Sequence, residues 1–190
     1  QNVPLTTTRP HMDKHAPRTA AGNASPPPVR GDAMIVERLF TSPESAAPLA
    51  ARRRILLLAG RGIAGDRHCG RQDWPGQSLT LVEAEEIEAF CALTGRRSDL
   101  ALTRRNIVTR GVRLNDLVGR RFRIGECLLR GVERCEPCAT LGRLLAAPGF
   151  DAAAVVAYWT GRGGLRADIL ADGSITVGDT LELEIGRASC

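Results

Sequence analysis

Aromatic residues are scarce in this chain: four Phe, two Trp and one Tyr make up 4% of it. Only Phe122 falls within the arginine-rich stretch Arg96–Arg123, which argues against a surface that stacks nucleic-acid bases. Apolar runs are short. The longest candidate, Ile55-Leu56-Leu57-Leu58-Ala59, is strand-sized and well below the roughly 18 residues of a membrane span. No charged start is followed by an apolar stretch, so no secretory signal is expected. Lysine is nearly absent, with Lys14 alone. Histidine is confined to His11, His15 and His68. The cysteines, Cys69, Cys91, Cys127, Cys135, Cys138 and Cys190, lack the density of a disulfide scaffold, and the expected compartment is reducing and cytoplasmic.

Arginine, by contrast, is abundant. The net charge is +5, but residues 33–186 hold 21 Arg against 19 Asp or Glu, a near balance unlike that of a nucleic-acid binder. Within it Arg96–Arg123 carries nine Arg against Asp99 and Asp116. Such planar forks grip phosphate bidentately.

Residues 1–32 contain six of the eleven prolines and no aromatic residue. They are expected to form a disordered tail, followed by one domain over 33–186 and a flexible end over 187–190. The domain reads as many short strands with Gly-rich turns and few helices. Strands are expected at Ala33–Leu39, Arg54–Leu58, Ser78–Val82 and Asn106–Thr109, with a hairpin of Arg121–Ile124 and Cys127–Val132. A second hairpin is expected from Leu165–Leu170 and Ser174–Val177 around Asp172-Gly173, then a strand over Thr180–Ile185. Helical spacing marks Glu83–Leu93, Thr140–Ala146 and Ala152–Trp159. The absence of βαβ alternation predicts a mainly β, antiparallel barrel or sandwich.

Three groups of residues carry chemistry. Cys135-Glu136-Pro137-Cys138 lies between a strand and a helix. Two thiols at this spacing can share a metal, form a redox disulfide, present one thiolate beside a resolving partner, or simply be buried. A helix N-terminus and Arg134 would favour the thiolate. A closed zinc site would need a second ligand pair, and only the adjacent His68-Cys69 is available. Gly62-Ile63-Ala64-Gly65-Asp66-Arg67-His68, with two glycines, is either a turn approaching a ligand closely or a turn held by its own side chains. Asp66 could pair with Arg67 or orient His68, and the imidazole could move a proton near neutral pH. Arg104, Arg105 and Asn106 could clamp a phosphate and a heterocycle edge, or form a solvated strand edge. Trp74 and Trp159 could wall a flat ligand.

Taken in order, these pieces resemble the MOSC family, named after the C-terminal domain of molybdenum cofactor sulfurases. The elements are Gly65-Asp66-Arg67-His68, Gln77–Val82 with its helix, Arg105-Asn106-Ile107-Val108, Gly111–Gly119, Arg121–Gly125, Cys135–Cys138 and Gly178-Asp179, spanning roughly residues 33–185. The resemblance implies a closed β-barrel with a few short α-helices and a hallmark cysteine at Cys138. In larger relatives that cysteine ligates molybdenum. An upstream Arg-x-Asn motif, matching Arg104 and Asn106, helps hold the pterin phosphate. Arg67, Arg105 and Arg134 are further candidates for cofactor binding, and His68 and Cys135 for roles beside the reactive sulfur. The implied cofactor is the molybdenum cofactor (molybdopterin). Implied partners are a cysteine desulfurase or an electron-donor protein such as a flavoprotein or ferredoxin. The implied functions are reduction of N-hydroxylated compounds, persulfide sulfur carriage, or non-enzymatic cofactor binding. Pyridoxal phosphate enters only at the family level, since this chain has no desulfurase domain. The N-terminal β-barrel extension of the larger members is not expected in it either.

Overall fold

A computed structural model describes residues 33–71 and 73–184. The tail expected over 1–32 and the end expected over 187–190 lie outside the described residues. The elements in chain order are β1 (Ile35–Thr41), β2 (Ala50–Arg52), β3 (Arg54–Leu58), β4 (Gly62–Ile63), β5 (Thr80–Glu83), α1 (Ala84–Leu93) and β6 (Ile107–Arg110). After the 3-10 turn Leu114–Leu117 come β7 (Arg121–Ile124), β8 (Cys127–Arg134), α2 (Ala139–Leu145), α3 (Ala152–Trp159), β9 (Leu165–Ile169), β10 (Gly173–Thr176) and β11 (Leu181–Leu183).

Eight strands form one curled sheet in the order β11-β7-β8-β9-β5-β6-β1-β2, and β10-β3-β4 form a second. The closed barrel expected from the sequence is not what forms: the large sheet is a half-barrel. One bridge, Ile35 to Thr180, brings the start of β1 to the approach of β11, and the Leu181 amide donates to the Met34 carbonyl at 2.8 Å. Val36 extends the contact, its amide donating to the Asp179 carbonyl and its carbonyl accepting from the Gly178 amide, each at 2.8 Å, but β11 itself does not pair with β1. Beyond its first residues β1 is taken on both sides, with Leu39 opposite both Arg52 of β2 and Ile107 of β6. The three residues of β11 are aligned on β7. The sheet is also not purely antiparallel, because β5 and β6 run parallel with Leu81 opposite Ile107. α1 supplies the crossover that such a pair requires.

The second expected hairpin also fails. β9 joins the large sheet, whereas β10 pairs with β3, Ile175 opposite Ile55. The Asp172 carboxylate accepts from the Ala59 amide at 2.6 Å and ties the intervening turn to the small sheet. The other hairpin, β7 with β8, forms as expected, Ile124 opposite Cys127.

The alternation of Arg121, Phe122, Arg123 and Ile124 puts one buried face on β7, as a two-residue side-chain period requires. β5 and β6 are buried on both faces, because a core lies on each side. Inside the curl Leu79, Leu81, Ile107, Phe122, Ile124, Leu129 and Leu165 pack together. Outside it Val82 and Val108 meet Ile87, Phe90, Leu145, Val155 and Trp159 from the helices. The few aromatic residues are concentrated there. Phe90 has its ring centroid 5.1 Å from Tyr158, 5.4 Å from Trp159 and 5.6 Å from Phe150. Their burial is what holds α1, α2 and α3 on the sheet. α3 begins at Asp151, whose carboxylate accepts from the Ala154 amide at 2.8 Å, a side-chain N-cap. Among the described residues no helix is long and apolar enough to cross a membrane.

Candidate functional site

β8 delivers its last residue, Arg134, to a short irregular stretch that ends as α2 begins. Cys135 there is fully buried and Cys138 is exposed. The pair is thus split into one sequestered thiol and one accessible thiol, both free. The Cys135 amide donates to the Gly164 carbonyl at 2.7 Å, and the Glu136 carboxylate accepts from the Gly161 amide at 3.1 Å. Cys138 occupies the N-cap position of α2 with extended backbone. Its sulfur does not meet the strict geometry of a capping hydrogen bond. Even so, the unpaired amides of Leu141, first, and Thr140 face it and pull the thiol pKa below its ordinary value. Partial burial opposes this, and the Thr140 hydroxyl and the Arg105 charge add to it. The resulting thiolate would be both nucleophile and soft ligand.

Arg105 links this thiol to a cavity of about 160 Å³. It lines the cavity, its Nε donates to the Gly163 carbonyl at 3.2 Å, and its charge lies within electrostatic reach of Cys135 and Cys138. Burial pulls its pKa down, while the two thiols act in the opposite direction. An arginine keeps its charge through such a shift. The other guanidinium groups on the cavity wall are those of Arg67, Arg104 and Arg166, accompanied by His68, Trp74, Gln77, Thr80 and Asn106. Four cations with no carboxylate among the lining residues make an anion site. Counter-charges stand at its edges: Arg166 Nε lies 3.4 Å from the exposed Glu133 carboxylate at the rim, and the buried Asp66 carboxylate lies behind His68 and Asn106.

The turn expected at Gly65–His68 is held by Asp66, but not through the pairings considered from sequence. Its buried carboxylate accepts from the Ser42 amide at 2.9 Å, the His68 amide at 3.1 Å and the Asn106 side-chain amide at 3.5 Å. It orients the His68 backbone rather than the ring. Burial, then Arg67, lowers the His68 pKa against the opposing pull of Asp66, with Arg71 and Arg166 lowering it further. The imidazole is therefore neutral at pH 7. Its Nδ1 is buried without a protein hydrogen-bond partner.

Asn106 turns inward. Its carbonyl oxygen accepts from the Thr80 amide at 3.2 Å and hydroxyl at 2.9 Å, and its NH₂ reaches the Phe40 carbonyl at 3.3 Å. Together with Asp66 these use its full hydrogen-bonding capacity, so it shapes the wall by joining the starts of β5 and β6. Arg104 stands just before it in the left-handed region, φ 59°, and donates to the Ala47 carbonyl at 2.7 Å. Such a conformation costs a residue with a side chain about 1–2 kcal/mol.

Of the residues expected from sequence, the structure brings together Arg67, His68, Arg104, Arg105, Asn106, Cys135 and Cys138. Arg134 is exposed on β8 and does not line the cavity. Trp74 is half-exposed on its wall, whereas Trp159 is core. Thr80, Gln77 and Arg166 were not anticipated. Arg166 alternates with buried Leu165 and Ala167 on β9, a pattern that places it on the outer face without saying what else gathers there. Among the described residues no group of three or more His, Cys, Asp or Glu could hold a metal ion.

A protein-family model described as the MOSC domain matches residues 65–182, well over half of the chain and the whole of this site. The chain belongs to the MOSC domain family. Solved MOSC-type structures agree on the fold. The YuaD protein from Bacillus subtilis is similar at 19% identity and TM-score 0.68, covering 80% of this chain and 96% of that one. YiiM from Escherichia coli is similar at 19% identity and TM-score 0.60, covering 83% and 72%. YiiM from Geobacillus stearothermophilus follows at 16% identity and TM-score 0.59, covering 80% and 77%. No curated protein sequence matches the chain. The MOSC family is associated with the molybdenum cofactor, and an arginine-lined cavity near an exposed thiol suits an anionic ligand with a sulfur-held metal.

Proposed function

We propose that this MOSC protein binds the molybdenum cofactor, with Cys138 as the soft sulfur ligand and the arginine-lined cavity as the grip on the cofactor's anionic end. The observation that carries the reading is Arg105, which lines the cavity and, through Gly163, is tied to the backbone that packs on the Cys135–Cys138 segment. Arg67, Arg104 and Arg166 would share the phosphate charge, each through charge-assisted hydrogen bonds. At about 160 Å³ the cavity is smaller than the roughly 300–1,000 Å³ of typical ligand pockets, so it suits a headgroup rather than the whole cofactor. Trp74 also lines an adjoining cavity of about 390 Å³ and offers a flat face to a heterocycle. When bound, the cofactor supplies two-electron redox chemistry at a sulfur-held metal.

The chain's own residues then bind, orient and manage protons. Neutral His68 can accept a proton, and the imidazolium so formed is the more acidic because burial and the neighbouring arginines lower its pKa. Reduction of an N-hydroxylated compound suits this set: the N–O bond breaks, two electrons and two protons are consumed, an N–H bond forms and water leaves. The electrons would come from a flavoprotein or ferredoxin partner.

The accessible, acidified thiol also favours a second reading, a persulfide carrier loaded by a cysteine desulfurase. Attack of the Cys135 thiolate on the Cys138 sulfur would form the Cys135–Cys138 disulfide and release the outer sulfur as hydrosulfide. A thiol reductant would then reset the pair.

Elemental analysis and intact mass on one anaerobic preparation, co-expressed with cofactor biosynthesis, separate the two. Molybdenum near one per chain, lost in Cys138→Ser, is the expected result. A sulfur-mass adduct on Cys138 without molybdenum would replace it with the carrier reading. Neither signal, in a folded protein, would overturn both.

A further inference from the structure

The stretch between α3 and β9, Thr160–Gly164, is engaged by every part of the site that must stay in register. The Gly163 carbonyl takes the Arg105 Nε at 3.2 Å. The Gly164 carbonyl takes the Cys135 amide at 2.7 Å. The Gly161 amide holds the Glu136 carboxylate at 3.1 Å. The loop is itself anchored from below: the Gly161 carbonyl accepts from the Asn115 side chain at 2.8 Å, and Arg162 binds the buried Glu86 carboxylate at 3.0 Å. No side chain fits on its inner side. A Cβ on Gly163 would overlap the Cys135 carbonyl oxygen, and one on Gly164 the Leu81 carbonyl oxygen. The backbone therefore lies directly against the segment that carries the reactive sulfur.

We infer that Gly163 is a positioning residue, whose bare backbone sets the Arg105 guanidinium and the Cys135–Cys138 segment at a fixed separation. The inference rests on the reading of Cys138 and Arg105 as one site, but not on any metal being bound. Two restraints from one peptide, the Arg105 hydrogen bond and the contact with the Cys135 carbonyl, leave neither partner free to move alone. Adding one methyl group, whose carbon overlaps the Cys135 carbonyl oxygen and lies 3.7 Å from Arg105 Nη2, pushes the two apart without changing the charge of either.

The test compares alkylation of Cys138 by iodoacetate and by iodoacetamide at one pH, read on the Cys138 peptide by mass spectrometry. Both reagents attack the same thiolate, so their rate ratio cancels the thiolate fraction and reports the positive charge beside the sulfur. Gly163→Ala should lower the ratio roughly threefold, as expected for moving one charge away from a partly exposed site. Gly149→Ala is the control for backbone strain alone: Gly149 is left-handed, at φ 78°, with nothing within 4 Å of its added Cβ, and its ratio should stay at the wild-type value. In an Arg105→Met background Gly163→Ala should have no further effect. Should Gly163→Ala not fold, Asn115→Ala releases the loop from the Gly161 side and should lower the ratio in the same direction. An unchanged ratio in the folded loop variant, an equal fall in Gly149→Ala, or a further fall without Arg105 would overturn the inference. Metal content of the same preparations tests the cofactor reading separately, since the ratio needs no metal.

Discussion

Asp66 and Asn106, forty residues apart in sequence, share a buried hydrogen bond of 3.5 Å, and through it the turn below His68 is joined to the parallel strands β5 and β6. Replacing Asn106 with Ala removes the side-chain partners of the Thr80 amide and the Phe40 carbonyl together, while the Asp66 oxygen keeps the Ser42 amide. The expected loss is on the order of 3 kcal/mol, since each unsatisfied buried group costs about 1–3 kcal/mol and some admit water. Urea unfolding checks it. A loss below the precision of that measurement would show that Asn106 does not hold the turn.

Arg166 and Arg105 should each matter to anion affinity. Arg166→Ala is expected to weaken inorganic phosphate binding about tenfold, equivalent to about 1.4 kcal/mol. Arg105, more deeply placed, should cost more. Titration calorimetry at two salt concentrations reads both, and the wild-type affinity should fall as salt rises. Equal phosphate affinity in wild type and Arg166→Ala would remove the cavity from the site.

The Cys138 thiol should titrate below the range of an ordinary cysteine, because the Leu141 and Thr140 amides and the Arg105 charge favour its anion. Alkylation by iodoacetamide should therefore reach its plateau at lower pH than that of a free thiol. Thr140→Val and Arg105→Met should each move that midpoint upward. Stopped alkylation followed by peptide mass spectrometry measures it, and a downward move in either variant contradicts the assignment.

Glu83 gives a stability prediction. Burial pushes its carboxyl up to about 7, against the Leu114 amide and Arg113, which lie at 2.7 Å and 4.0 Å. In the folded chain it keeps its proton while the unfolded chain ionises. The group's stabilisation is therefore complete at acid pH and is lost as pH rises from about 4.5 to about 7. The upper bound of that loss is about 3 kcal/mol, at 1.36 kcal/mol per unit. Glu83→Gln should flatten this part of the urea midpoint's pH profile. A slope the same as wild type would place the proton elsewhere.

Much of this was legible in the residues themselves. The period of Arg121–Ile124, the turn at Gly125-Glu126 and the helical spacing of Ala152–Trp159 depend on neighbours, and all three elements stand where their patterns put them. Arg105 and Cys138 could be named because charge and thiol chemistry belong to the residue type. Closure of the barrel was not legible, since it depends on whether β1 has an edge left for β11 once β2 and β6 have paired with it. The β10 strand was misassigned because Asp172-Gly173 is a turn signal in either sheet, and only the Ala59 amide decides between them. Arg166 was missed for a related reason. Alternation tells which face a side chain takes, not which other loops converge on that face.

The left-handed backbone at Arg104 has a consequence for how this sequence can drift. Glycine would occupy φ 59° without steric penalty, so the fold taken by itself would gain from losing the arginine. Stability and ligand grip thus pull in opposite directions at one position. A selection for heat resistance alone, applied to random variants of this chain, would be expected to erase part of the pocket first.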